Sequence, residues 1–317
     1  QVEDYAKYQT FNKELGPTGQ AVQRFANSHP AIKFLIPFLR TPTNIVKYAG
    51  ERTPFGLLSQ AVRDNVSGKN GQVARDTQSA RITLGTTIGI ATASLAAEGL
   101  ITGGGPSDAD KRALMYASGW QPYSVKIGEN YYAYNRIDPF GMIMGVSADM
   151  VELSKQMDEV AADKMAAMIT GSIIGNLTNK TWLKGPSDLI QAINDPQRYG
   201  ESYIKGMVGT VIPTGVAQMA QAQDPIMREA RSITDNLKAR TPGLSQELMP
   251  KRDIWGEPIQ RGGGLGPDFI SPIYESRVKN DPVTKKLLEI GVYPSKVSRK
   301  INGVELTDQQ YDEYAEK

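Results

Sequence analysis

A chain of 317 residues with 36 Lys+Arg against 34 Asp+Glu, one histidine and no cysteine excludes several classes at once. Without cysteine there is no disulfide scaffold, thiolate metal site or cysteine nucleophile, and a single imidazole leaves no His pair for catalysis. A formal charge of +2 gives no global field of the kind that marks a nucleic-acid binder.

The chain opens on Gln-Val-Glu-Asp with no basic-then-apolar signal pattern, which reads as an internal piece of a longer polypeptide or a processed product. Residues 3–15 and 18–28 predict polar helices separated by Gly16-Pro17. Pro30, Pro37, Pro42 and Pro54 then cut the chain into short pieces, because each proline removes an amide donor and pushes its predecessor out of helical space. Residues 1–81 therefore form a proline-broken helical region. It holds eleven Lys/Arg against six Asp/Glu. Among these bases Arg40, Lys47 and Arg52, together with Lys296, Arg299 and Lys300 near the far end, are candidate contacts to DNA phosphates.

Residues 82–105 form a glycine-rich apolar helix with a triple-glycine stop. Positions 82–97, "ITLGTTIGIATASLAA", carry no charge, and Gly85 and Gly89 make a G-x-x-x-G that lets helix backbones approach closely. Sixteen residues rise about 24 Å, short of a ~30 Å hydrocarbon core. A buried helix of a soluble bundle and a conditionally inserting segment fit equally.

Residues 106–158 are a helix, an aromatic hairpin and a further helix. "GPSDADKRAL" predicts a helix start with Ser107 as N-cap, and Gly119 ends that helix. "YSVKI" and "YYAYN" flank Gly128-Glu129-Asn130, predicting a hairpin with a three-residue loop, and Pro139-Phe140-Gly141 starts a helix running to about Asp158. Trp120, Tyr123, Tyr131, Tyr132 and Tyr134 suit a membrane interface, a protein–protein interface or base stacking, and equally the core of a small sheet.

Residues 159–223 are a small-residue helical region with G-x-x-x-G at Gly171 and Gly175 and a break at Pro213. Residues 224–317 are charged, with helices expected at 225–239 and 281–291, a Pro/Gly-rich connector between them, and a terminal helix capped by Thr307.

Chemistry is hard to place on this pattern. His29 stands alone before a proline. "GGGLGP" at 262–267 lacks the preceding strand and the Lys-Ser/Thr of a phosphate loop. The pairs Asp108/Asp110 and Asp312/Glu313 sit where helix capping accounts for them. Glu201-Ser202 and Glu275-Ser276 match a two-residue transglycosylase acid motif without the segment that shapes the sugar cleft. The expectation is a non-enzyme with no cofactor and no metal.

"PFLRTPTNIVKYAGERTPFG" (37–56), "AAEGLITGGGP" (96–106) and "SGWQPYSVKIGENYYAYNRIDPFG" (118–141), in that order, resemble the internal virion, or DNA-ejection, proteins of short-tailed bacteriophages and related large polyvalent phage virion proteins. The likeness covers roughly residues 30–150. The helical segments themselves, cut by proline and glycine, predict a mainly α, elongated chain of interrupted helices with one small hairpin, part of a larger polypeptide or oligomeric assembly. The likeness implies storage in the virion interior, homo-oligomerisation, and partners among other internal virion, portal or tail proteins. After ejection it implies the host envelope, periplasm or inner membrane, and weak non-specific contact with genomic DNA as part of an ejectosome. Two alternatives stand beside it: a scaffold segment of a larger virion enzyme, transglycosylase- or polymerase-linked, and a purely structural protein of the portal–tail junction.

Overall fold

The computed structural model describes residues 44–155, 195–209, 211–261 and 273–317, together with positions 7, 8, 10, 171–173, 175, 176, 188 and 192. The polar helices expected at 3–28, His29, Arg40 and the 262–267 connector lie outside the described residues, 7, 8 and 10 excepted. The fold is mainly α. Residues 44–50 are helical and lead into a 3-10 turn, Pro54–Leu58. Then follow α1 (Gln60–Val66), α2 (Gln72–Ala97), α3 (Ala109–Ala117), the hairpin β1 (Ser124–Ile127) and β2 (Asn130–Ala133), and α4 (Phe140–Ser154). Next come α5 (Glu201–Gly209), α6 (Thr214–Gln223), α7 (Ile233–Lys238), β3 (Glu275–Arg277) and α8 (Pro282–Ile290). A second hairpin, β4 (Lys300–Ile301) and β5 (Val304–Glu305), precedes α9 (Asp308–Glu316).

The chain divides into two compact units that do not follow the sequence regions one by one. One draws on residues 1–104 and 134–187, the other on 105–133 and 188–317, so the aromatic hairpin and the helix after it fall in different units.

The first unit is organised around α2. Its composition of Thr, Gly, Ile and Ala is only middling for a helix, so tertiary packing has to hold it. The buried positions Gln78, Gly85, Thr92 and Ala96 recur at near-heptad spacing and make one stripe. Gly85 lies against the backbone of Arg52, where a Cβ would run into the Arg52 carbonyl, and Gly89 faces Ser147 and Ile143 of α4. Gln78 donates its amide to the Glu51 carbonyl at 2.7 Å. The stripe thus receives the end of the 44–50 helix and one face of α4, with Ile45, Ala49, Met142 and Ile143 as the buried apolar cluster.

At the other end of α2, Lys155 donates to the Ala96 and Ala97 carbonyls at 3.3 and 3.0 Å, supplying donors to terminal carbonyls that have no intrahelical partner. The first two of the three glycines that follow dock on α4. Gly103 N donates to Glu152 Oε1 at 2.7 Å and Gly104 N to Asp149 Oδ1 at 2.6 Å. A Cβ on Gly103 would overlap the Asp149 carboxylate. The buried Tyr134 hydroxyl ties the same loop by donating to the Thr102 carbonyl at 2.7 Å.

In the second unit, Asp108 rather than Ser107 caps α3, accepting from Lys111 N at 2.7 Å, because the helix starts one residue later than the Ser-x-x-Asp spacing implies. Gly119, at φ +85°, closes it with a Schellman pair: Trp120 N bonds the Met115 carbonyl and Gly119 N the Tyr116 carbonyl. The hairpin follows, but its loop has two residues, not three. Ile127 pairs with Asn130 across Gly128-Glu129, and Gly128 has φ +62°, fitting the first central position of a II′ turn.

The hairpin is also not alone. β3 adds antiparallel to β2, with Tyr131 opposite Ser276, and β4–β5 forms a second hairpin around Asn302-Gly303, both at positive φ. The expected 225–239 helix shrinks to α7, because residues 224–230 instead form a network of bridges, Ile226 to Gln260 and Arg228 to Pro250. Its anchor is the buried Asp224, which takes two hydrogen bonds from Arg228 and one from Ser245 at 2.8–3.0 Å. As expected, Thr307 caps α9 with a full capping box, and Pro213 separates α5 from α6.

Candidate functional site

The G-x-x-x-G of α2 is spent within the chain itself: Gly85 admits the Arg52 backbone and Gly89 admits α4. Gly171 and Gly175 differ, since nothing stands within 4 Å of a Cβ added at either. No helix among the described residues is long and apolar enough to cross a membrane. α2 does carry an uncharged exposed side, with Leu84 and Ile90 52% and 64% exposed.

The aromatic hairpin is interior in the folded chain. Trp120, Tyr123, Tyr131 and Tyr134 are buried, and Tyr132 is half-buried. Trp120 lies over Gly105, whose φ of +79° and missing Cβ make room for the indole, and stands edge-on to Tyr116 at 5.6 Å between centroids. Burial raises the Tyr131 and Tyr116 phenols above the ordinary tyrosine value. These rings therefore serve packing, the core reading of the sequence, and four of the five are not available as rim anchors in this conformation.

The candidate phosphate contacts also separate. Arg52 is only 6% exposed: Nη1 bonds the Tyr48 carbonyl at 2.9 Å and the Tyr8 hydroxyl at 3.1 Å, and its guanidinium stacks on the Tyr48 ring. That is a helix cap and cation–π post, not a DNA contact. Burial, and the bond it donates to Glu51, push the Tyr8 hydroxyl up to about 12. Arg299 is engaged with Glu229 at 3.3 Å and Asp308 at 2.8 Å, and lies 3.9 Å from the Tyr311 ring centroid. Lys47, Lys296 and Lys300 are exposed, Lys47 with Glu51 only at 3.8 Å.

One further feature was not legible in the sequence. The second unit holds a half-open groove of about 1340 Å³, lined from α3, β3, the bridged 251–261 segment and Lys296. Five bases line it, Lys251, Arg261, Arg277, Lys279 and Lys296, against the acids Asp253, Glu257 and Glu275. Of the five phosphate candidates among the described residues only Lys296 belongs to it. The others of this set escape sequence reasoning because no single local run contains them; three distant segments, 251–261, 277–279 and Lys296, bring the five bases together.

Neither a family model, nor a curated protein, nor a solved structure matches this chain. Among the described residues no three or more His, Asp or Glu side chains gather in a way that would hold a metal ion.

Proposed function

We propose that this chain is a structural and conduit component of a bacteriophage genome-ejection apparatus, without catalytic activity of its own. It is stored in the virion interior and works as a homo-oligomer beside other internal virion, portal or tail proteins. On ejection it meets the host envelope and helps the viral genome through.

The observation that carries this reading is where the phage-like motifs fall. In Gly-Leu-Ile-Thr-Gly-Gly-Gly-Pro, Gly103 and Gly104 dock on the acids of α4. In Gly-Trp-Gln-Pro-Tyr-Ser, Gly119 lies under the Arg277 carbonyl, and in Arg-Ile-Asp-Pro-Phe-Gly, Gly141 lies under that of Tyr134. The motif residues are thus sites of close backbone approach, which supports reading them as parts of a building block. Exposed apolar side chains on α2 and the turn before α1, Leu58 at 81% among them, supply surface for assembly.

The purely structural portal–tail role is the second reading. It is favoured by the use of Gly85 and Gly89 inside the chain rather than between copies. Measuring the mass of the purified chain with and without anionic vesicles, alongside dye release from them, tests the proposal. Larger assemblies and release with lipid are expected. A chain that leaves vesicles sealed and does not assemble on them overturns the conduit role in favour of the junction role.

A further inference from the structure

The basic groove of the second unit is not used by anything above. At about 1340 Å³ it exceeds the ~300–1,000 Å³ of small-ligand pockets, and it is neither closed nor flat. That shape suits a length of chain rather than a compact ligand.

Its lining combines amines with aromatic rings. Tyr116 from α3 is 44% exposed, and Tyr274 leads into β3. Tyr116 is held by Trp120 behind it, so its orientation is set before any ligand arrives. Lys251 and Lys296 are near neighbours on the lining. Partial desolvation of the Lys296 amine, though the residue as a whole is exposed, and then the charge of Lys251 hold its pKa below the ordinary lysine value. Lys296 Nζ donates to the Arg252 carbonyl at 3.2 Å.

The acids, Glu275 of β3 among them, offset part of this charge, and bases remain in excess on the lining, five against three. Asp253 turns into its own loop, accepting from Trp255 N at 2.9 Å and Glu257 N at 3.0 Å. Glu257 pairs with Lys279 at 3.2 Å and Glu129 with Arg277 at 3.0 Å, all four side chains more than half exposed. Such surface pairs contribute little and exchange readily for a competing anion.

We infer that this groove binds single-stranded nucleic acid without sequence preference, its lysines and Arg277 following the phosphates and Tyr116 offering a ring face to a base. This is the combination that single-strand binders use. The inference deepens the reading that the chain meets genomic DNA, and rests on it. An acidic peptide would satisfy the bases equally but would leave the exposed Tyr116 ring without a role, which is why the nucleic acid is favoured.

The test is fluorescence anisotropy of a labelled dT12 oligonucleotide at low salt with the whole chain. A 12-base-pair random duplex and a poly-glutamate peptide of matched charge serve as comparators. Lys251→Glu with Lys296→Glu should weaken dT12 binding at least tenfold. Tyr116→Ala should weaken it several-fold without changing its salt dependence, because stacking releases no counterions. The lysine pair is exposed, so an unchanged circular dichroism melt accompanies the loss, and Lys251→Gln with Lys296→Gln should give an intermediate effect. Duplex binding that survives while dT12 binding ignores every groove variant overturns the groove and leaves the DNA-conduit reading standing. Absence of binding to either nucleic acid overturns both, and tight binding of poly-glutamate in place of dT12 makes the groove a peptide site.

Discussion

Single residues decide which glycines the chain can give up. At Gly85 a Cβ meets the Arg52 carbonyl, and neither backbone can withdraw without unseating the end of the 44–50 helix. Gly85→Ala should therefore destabilise the first unit by about 1–3 kcal/mol, the usual range for overpacking. Gly171 has open space around it and no positive φ, so Gly171→Ala should raise stability by roughly 0.5–1 kcal/mol through helix propensity alone. Urea unfolding of the two variants against the parent checks both signs; equal effects would mean that Gly85 has no close neighbour. Asp224 makes a second case. Hydrogen bonds from Arg228 hold its carboxyl below the ordinary aspartate range, against the opposing pull of burial. A depressed folded pKa means that the stabilisation is present above the unfolded value and is lost as pH falls through the folded one. Asp224→Asn should cost about 3 kcal/mol near neutrality, because it strands the buried Arg228 charge. It should also flatten the acid limb of stability below the ordinary aspartate value, read by urea unfolding from neutral into acid pH.

Elements show what local pattern can and cannot reveal. The hairpin at 124–133 was legible because alternation and Gly128 lie within ten residues of one another. Its third strand was not, since β3 comes from more than 140 residues later and "ESR" carries no β signature of its own. The β4–β5 hairpin did carry a signal, Asn302-Gly303, but its strands of two residues fell below any useful periodicity. The bridged 224–261 segment was illegible for another reason. Its order comes from one buried carboxylate and scattered bridges rather than from apolar spacing. The same holds for α9, which was expected from its cap but has no buried residue to hold it in place. Three arginines do so instead: Arg252 to Asp312 at 2.6 and 3.1 Å, Arg231 to Glu305 and Asp308, and Arg299 to Asp308. Only the first pair is well shielded from water. Arg252→Ala should then expose Tyr311 and Tyr314 to chymotrypsin, shortening the lifetime of the C-terminal segment roughly tenfold. Salt near 1 M, where the Debye length is ~3 Å, should do part of the same to the parent chain. Acid should too, since the Arg231 hydrogen bond holds the Glu305 carboxyl below its ordinary range and that pairing disappears as pH falls through the depressed value. Unchanged cleavage in Arg252→Ala would mean that apolar contacts, not charge, seat α9.

At the scale of the molecule the governing quantity is a charge that nearly cancels, 36 bases against 34 acids. A conduit that a genome slides through has to avoid gripping it. A lining of both signs meets that need, whereas a strongly basic one would hold the polymer by every phosphate it passed. Placement of the bases strengthens this point. Arg52 and Arg299 are committed to internal partners, which leaves exposed lysines such as Lys47 and Lys300 as the candidates for any contact with a duplex. Lysine is a flexible point charge without the planar fork of arginine, so these exposed positions suit phosphate contact. Binding to random duplex should accordingly be weak and fall steeply with salt. With about three phosphates neutralised, log K should drop with a slope of roughly −2.7 against log salt. Lys47→Glu with Lys300→Glu should reduce that slope by about two phosphates' worth and lower affinity equally for every sequence tested. Filter binding or anisotropy from 20 to 200 mM salt measures the slope, and selection from a randomised duplex pool measures preference. A slope near zero, or enrichment of one site from the pool, would identify a recognition protein whose contacts reach the base edges, and the conduit reading would then have the wrong physics for its DNA.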